Sequence, residues 1–167
     1  MTSFALPLRV AGLILAVCVI TTFPSHAFAQ DAAPLIGAWL TNIPKSTYSS
    51  GRSPKSPATR TFTQTGDGLT LVLTGGHGPD GNALTPTRWA AHFDGKDYPM
   101  VGSSNTDMVT IAMINASTLE VLSKKGRRVT DTSRHTVSKD GKTISWVATG
   151  TNAAGLPIRN VVILDKQ

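Results

Sequence analysis

The sequence predicts an all-β fold, an antiparallel up-and-down β-barrel of about eight to ten strands. From residue 59 onward, short runs rich in Thr, Val and Ile are separated by Gly, Asn and Asp at intervals of about ten residues, a rhythm typical of antiparallel sheets. The connections are short, so consecutive strands are expected to pair. A meander of this length leaves two unpaired edges unless it closes, which favours a barrel; a two-sheet sandwich with Greek-key crossings is the alternative.

The length and composition indicate one packed domain. The chain has 167 residues, of which 40% are hydrophobic; this excludes a wholly disordered chain and leaves little sequence for a second domain. The 15 glycines and 10 prolines follow no period, which excludes a collagen-like chain. The 16 basic and 10 acidic side chains give a formal net charge of +6, which favours acidic partners or surfaces.

Residues 1–29 are predicted to be a signal peptide. A basic residue precedes an apolar stretch at residues 10–20, and Ala27-Phe28-Ala29 has the small residues of a cleavage site. The apolar stretch is shorter than the ~20 residues of a membrane-spanning helix, so a retained anchor is the less favoured alternative. We expect cleavage near Ala29 and an exported protein, either periplasmic or secreted.

Cys18 is the only cysteine, and it lies within the predicted signal peptide. Lipidation at Cys18 is disfavoured because bulky Val17 stands where a lipoprotein cleavage site has a small residue. The mature chain would contain no thiol, which excludes disulfides, cysteine-based metal sites and cysteine nucleophiles.

A single barrel domain is predicted for residues 35–167, after a short lead-in at residues 30–34. Residues 43–58 contain three prolines and five serines, a composition that disfavours helix interiors and central strands, so we predict a loop there. Gly, Asn and Asp at the joints accept the positive φ angles of tight hairpins. The predicted strands lie near residues 35–42, 59–66, 68–75, 85–94, 97–102, 107–114, 118–125, 127–138, 142–151 and 156–165.

Period-two alternation assigns side chains to strand faces but leaves open which face is interior. Arg88 and His92 share one face of their predicted strand, opposite Trp89, and Arg134 lies on a polar face of another. If those faces are interior, Arg88, His92 and Arg134 are polar anchors for a carboxylate or enol. Trp89 and Trp146 are further candidate ligand-binding residues. The alternative is that the three polar residues point to solvent, as polar outer faces of antiparallel sheets do.

The sequence contains no catalytic or metal-binding motif. It has no Gly-x-Ser-x-Gly motif, no histidine pair at metal-ligand spacing and no cluster of carboxylates, so we predict no catalytic residue, metal or cofactor. A barrel-mouth active site around His77, in a glycine-rich loop near Asp80, or around His92 is the least favoured function. We therefore expect a protein that is not an enzyme.

Lys124, Lys125, Arg127 and Arg128 form the densest run of charge, at a predicted hairpin tip. This tip is a candidate for contact with an envelope surface that carries phosphate head groups; a solvated turn is the alternative. Aromatic residues do not alternate with these charges as they do in proteins that bind single strands, so we predict no nucleic-acid partner.

Gly37-Ala38-Trp39 places a Gly-x-Trp motif on the first predicted strand. A Gly-x-Trp at the start of a small exported β-meander resembles the signature of lipocalin-like (calycin-type) barrels, an architecture shared with fatty-acid-binding proteins. Over residues 35–167 the chain more closely resembles small bacterial exported proteins of that architecture. The matching stretches are Gly37-Ala38-Trp39-Leu40-Thr41-Asn42, Lys45-Ser46, Phe93-Asp94-Gly95-Lys96-Asp97-Tyr98-Pro99, Gly126-Arg127-Arg128, Asp140-Gly141-Lys142-Thr143 and Asn160-Val161.

The resemblance implies a structural plug, in which Trp39 packs across the closed end of the barrel next to Gly37, under an arginine from a late strand. By position that arginine is Arg159, and a cation–π contact would stabilise the pair by ~0.5 to 2 kcal/mol. The long C-terminal helix of lipocalins and the helix pair of fatty-acid-binding proteins have no counterpart in the sequence. The ligand class of either group is therefore not carried over.

The sequence as a whole predicts an exported, non-enzymatic lipocalin-like barrel that binds a small apolar or amphipathic ligand in its interior. The alternative is an envelope interaction or structural module with a filled barrel. A packed interior together with an exposed apolar or basic patch distinguishes that alternative. The oligomeric state is left open.

Overall fold

The computed structural model describes residues 32–151 and 155–167. The predicted signal peptide at residues 1–29 and the first part of the predicted lead-in lie outside the described residues. The last part of the lead-in forms one turn of 3₁₀ helix, Ala33–Leu35, and both Ala32 and Leu35 are fully buried. No helix within the two described ranges has the length and apolar character needed to cross a membrane.

Ten antiparallel strands close into one up-and-down barrel, which confirms the predicted fold class. Each strand pairs with its neighbours in sequence, and the first strand also pairs with the last. Closure pairs the backbone groups that an open sheet would leave at its edges. The strands are β1 (Gly37–Thr47), β2 (Thr59–Thr65), β3 (Gly68–Thr74), β4 (Thr87–His92), β5 (Tyr98–Val101), β6 (Met108–Asn115), β7 (Thr118–Lys125), β8 (Arg128–Val137), β9 (Thr143–Thr151) and β10 (Pro157–Lys166).

Strand β1 is longer than predicted. It continues to Thr47, so the start of the predicted loop at residues 43–58 belongs to the strand. Pro44 is tolerated because the ladder between β1 and β10 is interrupted between Asn42 and Thr47, where a missing N–H removes no ladder hydrogen bond. The prolines that follow lie beyond β1, as predicted.

The connections fall at two ends of the barrel because the strands run alternately up and down. The connections that follow β1, β3, β5, β7 and β9 lie at one end, which we call the open end. The short turns that follow β2, β4, β6 and β8 lie at the other, the closed end, together with Ala33–Leu35. At the open end, the β7–β8 turn places Gly126 at φ +59°, a conformation that side chains disfavour.

Trp39 lies fully buried at the closed end, where its indole N–H donates a 2.7 Å hydrogen bond to the Leu35 carbonyl. The cation over its ring is Lys166, whose Nζ lies 5.1 Å from the ring centroid. Gly37 adopts φ +127°, a conformation that residues with a side chain disfavour. The prediction that Arg159 covers Trp39 is wrong, because Arg159 is exposed on the opposite face of β10.

An apolar core fills the barrel next to the closed end. Burial of each large aliphatic or aromatic side chain stabilises the fold by roughly 1.5–3 kcal/mol, so this core holds the strands in register. The side chains of this core that are at most 1% exposed include Leu35, Trp39, Phe62, Leu69, Leu119, Ile144 and Leu164.

Candidate functional site

A cavity of about 500 Å³ occupies the barrel between the apolar core and the open end. This volume lies within the roughly 300–1,000 Å³ that is typical of small-molecule sites. The apolar part of its wall includes Leu71, Leu73, Trp89, Met100, Val109 and Val121. The polar part includes Arg60, Ser123, Asp131, Ser133 and His135.

Two of the predicted ligand-site residues, Trp89 and Trp146, line this cavity. Trp89 is 4% exposed, and Trp146 is partly buried. The period-two pattern left open which face of each strand is interior, and the structure shows that the faces carrying Trp89 and Trp146 are the interior ones.

Arg88, His92 and Arg134 point away from the cavity, which corrects their prediction as interior anchors. All three are exposed; the His92 ring contacts the Asp67 carboxylate, and Arg134 Nε donates a 2.8 Å hydrogen bond to Glu120. Their neighbours in sequence face inward, and alternation therefore directs these three outward. The solvent-facing alternative is the one found.

The interior cation is Arg60 on β2, a residue that the sequence analysis did not single out. Arg60 is 9% exposed, and its Nη1 donates a 3.1 Å hydrogen bond to Thr41 Oγ1. The guanidinium carbon lies 4.3 Å from the centroid of the Trp146 ring. Burial lowers the pKa of Arg60 to about 10, an effect that nearby Tyr48 opposes. The side chain therefore remains charged at neutral pH.

Arg60 has no carboxylate within ion-pair distance in the part of the chain that the structure describes. A guanidinium has five N–H donors, and the hydrogen bond to Thr41 uses one of them. Buried charges are costly unless they are paired, so the remaining donors favour an acceptor inside the cavity.

His135 on β8 lies beside this cation. Its ring stacks on Trp146, with 5.7 Å between centroids, and meets Phe62 edge-on at 5.8 Å. Burial, with a smaller contribution from the charge of Arg60, lowers the pKa of His135 to about 3. The imidazole is therefore neutral, and its Nε2 lies 3.4 Å from Ser133 Oγ.

Two further buried polar atoms near Arg60 lack hydrogen-bond partners among the described residues. His135 Nδ1 and Trp146 Nε1 are buried and have no hydrogen-bond partner among the described residues. Buried polar groups are nearly always paired, so two such atoms beside a lone guanidinium indicate a place for a polar ligand group. We call Arg60, His135 and Trp146 the anchor cluster.

A smaller space of about 70 Å³ adjoins the cavity, and Arg60, Leu73, Leu84 and Trp146 line both. The Tyr48 side chain forms part of its wall, and burial raises the pKa of the tyrosine hydroxyl. Arg60 and Trp146 are therefore reached from two sides, from the main cavity and from the smaller space beneath the loop that follows β1.

The histidines proposed for a barrel-mouth active site do not meet. His77 lies in the exposed β3–β4 loop with Nδ1 2.8 Å from Ser56 Oγ, and His92 is exposed at the end of β4. Neither lines the cavity. Within residues 32–151 and 155–167, no group of three His, Cys, Asp or Glu side chains is arranged to hold a metal ion.

Comparison with known protein families and with curated proteins gives no match for this sequence. The class of protein is therefore defined by its fold and its site. It is a closed ten-stranded antiparallel barrel with an internal cavity whose wall includes the buried side chains of Arg60 and His135.

Proposed function

We propose that this chain is an exported, lipocalin-like binding protein without enzymatic activity that takes up a small amphipathic molecule with an anionic head group. The observation that carries the proposal is Arg60, a buried guanidinium facing a cavity of about 500 Å³ and lacking a carboxylate partner among the described residues. The predicted signal peptide and Gly-x-Trp motif support the export and the lipocalin-like assignment.

The head group proposed for the ligand is a carboxylate. A carboxylate accepts two parallel N–H bonds from guanidinium, and hydrogen bonds between charged groups are roughly twice as strong as neutral ones. The ligand carboxylate would also form an ion pair with the buried guanidinium of Arg60. Trp146 Nε1 is a donor only, so it would supply one further hydrogen bond to the same oxygen atoms.

The apolar body of the ligand would lie along the apolar cavity wall. Leu71, Trp89 and Val121 are each at most 6% exposed, and each lines the cavity. Burial of each methylene contributes about 0.8 kcal/mol, which corresponds to about a fourfold gain in affinity per added methylene. The chain length and the head group of the ligand would therefore contribute separately to its affinity.

Calorimetric titration with decanoate and with decanol tests this proposal. We expect wild-type protein to bind decanoate more tightly than decanol, and Arg60→Met to lose about tenfold or more of the decanoate affinity because a charged hydrogen-bonding partner is removed. Decanol affinity should change little. Arg60→Met should stay folded, because an unbranched apolar side chain replaces a buried charge.

Arg134→Met is the matched control, since Arg134 is exposed and paired with Glu120 outside the cavity. It should bind decanoate as the wild type does. Equal losses in the two variants would contradict the role of Arg60.

The alternative function, an envelope interaction or structural module, requires no ligand in the barrel. The cavity favours the binding protein, because a filled barrel would leave no such space. Absence of saturable binding for decanoate, decanol and a fluorescent apolar probe in delipidated, refolded protein would favour the alternative instead.

A further inference from the structure

The open end of the barrel carries a surface that combines cations with exposed apolar side chains. We call this surface the basic rim. It consists of Arg88, Lys125, Arg127, Arg128, Arg159, Val101, Val129 and Leu156, all in the open-end half of their strands or in adjoining turns. None of these residues lines the cavity, and the basic rim shares no residue with the anchor cluster.

The charge of the basic rim is largely uncompensated. Among the described residues, no carboxylate lies within ion-pair distance of its four arginines, and Lys125 is 3.8 Å from Asp107. Lys124 belongs to the same run of sequence, but it pairs with Asp97 at 2.5 Å and is excluded from the rim. Of the four residues of the predicted basic tip, Arg127 and Arg128 have no carboxylate within ion-pair distance among the described residues, and Lys125 is more loosely paired than Lys124.

Two of the cations nearer the closed end are paired with carboxylates. Lys96 lies 3.0 Å from Asp94, and Arg134 lies 2.8 Å from Glu120. The net positive charge is thus more strongly expressed at the open end than at the closed end.

The tip of the basic rim is held in place by its neighbours. The Asp107 carboxylate accepts the Gly126 N–H at 3.0 Å, and Arg128 Nη2 donates a 3.2 Å hydrogen bond to Thr151 Oγ1. These contacts connect the β7–β8 turn to the loop after β5 on one side and to β9 on the other. The cations are therefore presented by an ordered hairpin.

Exposed apolar side chains lie beside these cations. Val101 is 49% exposed, Val129 46% and Leu156 61%. Val101 pairs with Arg88 across β4 and β5, and Val129 pairs with Lys124 across β7 and β8. The other large apolar side chain of comparable exposure, Ile114 at 52%, lies toward the closed end. Cations with interspersed apolar side chains are typical of protein surfaces that bind to membranes with anionic head groups.

We propose that the basic rim docks the barrel on an anionic phospholipid surface with the cavity entrance toward the membrane. This goes beyond ligand binding, and it holds for the protein with or without a ligand. Each lysine or arginine near such a surface raises membrane partitioning about fivefold, and the apolar side chains would reach the acyl boundary. The cavity would then open toward the membrane, which holds amphipathic molecules.

Co-sedimentation with vesicles tests the docking. We expect the purified protein to sediment with vesicles of phosphatidylcholine and phosphatidylglycerol in equal parts and to stay in solution with phosphatidylcholine alone. Added salt should weaken the binding because it screens the charges. Substitution of three rim cations, Lys125→Gln, Arg127→Gln and Arg128→Gln together, should lower the partition coefficient about a hundredfold.

A matched triple variant at the closed end, Lys96→Gln, Lys139→Gln and Lys142→Gln, changes the net charge equally and should bind as the wild type does. Val129→Ser with Leu156→Ser keeps the charge and should lower the partition coefficient about tenfold, since apolar burial is lost. Equal losses in the two triple variants, or equal binding of wild type to both kinds of vesicle, would overturn the proposal.

Discussion

Arg60 is the residue on which the proposed binding function depends most. Its guanidinium is held between the Thr41 hydroxyl and the Trp146 ring, two contacts that fix its position without neutralising it. A cation–π contact contributes ~0.5 to 2 kcal/mol, which is less than the cost of an unpaired buried charge. We therefore expect Arg60 to destabilise the empty barrel and to stabilise a barrel that holds an anionic ligand.

The placement of Arg60 could not be predicted from its own strand. Thr59–Thr65 alternates threonines with Arg60, Phe62 and Gln64, so one apolar residue shares its face with two polar ones. Its cross-strand partners decide the matter, since Arg60 pairs with Trp39 on β1 and Leu73 on β3. That register is tertiary information. By contrast, the strands of Arg88 and Arg134 show clearer period-two alternation, and both side chains point outward.

The lowered pKa of His135 predicts how the free energy of unfolding depends on pH. Its pKa is lowered to about 3 in the folded protein, chiefly by burial, whereas an unfolded histidine titrates near its ordinary value of about 6.5. Below about pH 6.5 the unfolded chain therefore binds a proton that the folded chain does not. The stabilising contribution is complete above that pH and is lost as the pH falls toward the folded pKa.

Urea unfolding at about pH 7 and at about pH 5 measures this effect. We expect the free energy of unfolding of the wild type to fall by about 2 kcal/mol between them, and that of His135→Phe to fall much less. His77→Phe, at an exposed histidine, should retain the wild-type dependence. Equal pH dependence of wild type and His135→Phe would contradict the role of His135.

The start of β1 and the end of β10 lie at the closed end, and residues there are expected to contribute unequally to stability. Trp39 is fully buried, so we expect Trp39→Ala to lower the free energy of unfolding by about 3–5 kcal/mol. Lys166→Met removes one cation over an indole ring and should cost about 0.5–2 kcal/mol. Urea denaturation measures both.

Arg159→Met serves as the comparison for Lys166→Met. Arg159 is exposed and away from the Trp39 ring, so this change should leave stability within about 0.5 kcal/mol of wild type. A loss for Arg159→Met as large as that for Lys166→Met would show that the cover of Trp39 has been assigned to the wrong cation.

The strands themselves were largely predictable, and the reason is local. Turn residues such as Gly126 and the pair Asp140-Gly141 mark where the chain must reverse, and each separates two strands that pair in the barrel. The exception is β1, where Pro44 indicated a loop. A proline is compatible with a strand where the ladder is already interrupted, and that interruption depends on β10.

Along the axis of the barrel, the apolar core and the features behind both proposals lie at different ends. The closed end holds the apolar core around Trp39, while the cavity, the anchor cluster and the basic rim lie toward the open end. Alternation within a strand predicts its two faces, but closure of all ten strands determines which face lines the cavity. The volume left inside depends on every inward side chain and is therefore not readable from any single segment.

Native mass spectrometry of the protein purified gently from its own host tests most directly whether the cavity holds an anionic ligand at Arg60. We predict a defined mass adduct on the wild-type protein that is lost on denaturation, released as a species that ionises as an anion, and depleted in Arg60→Met. A bare mass for the wild type, or an adduct that Arg60→Met retains at the same occupancy, would contradict the proposed function.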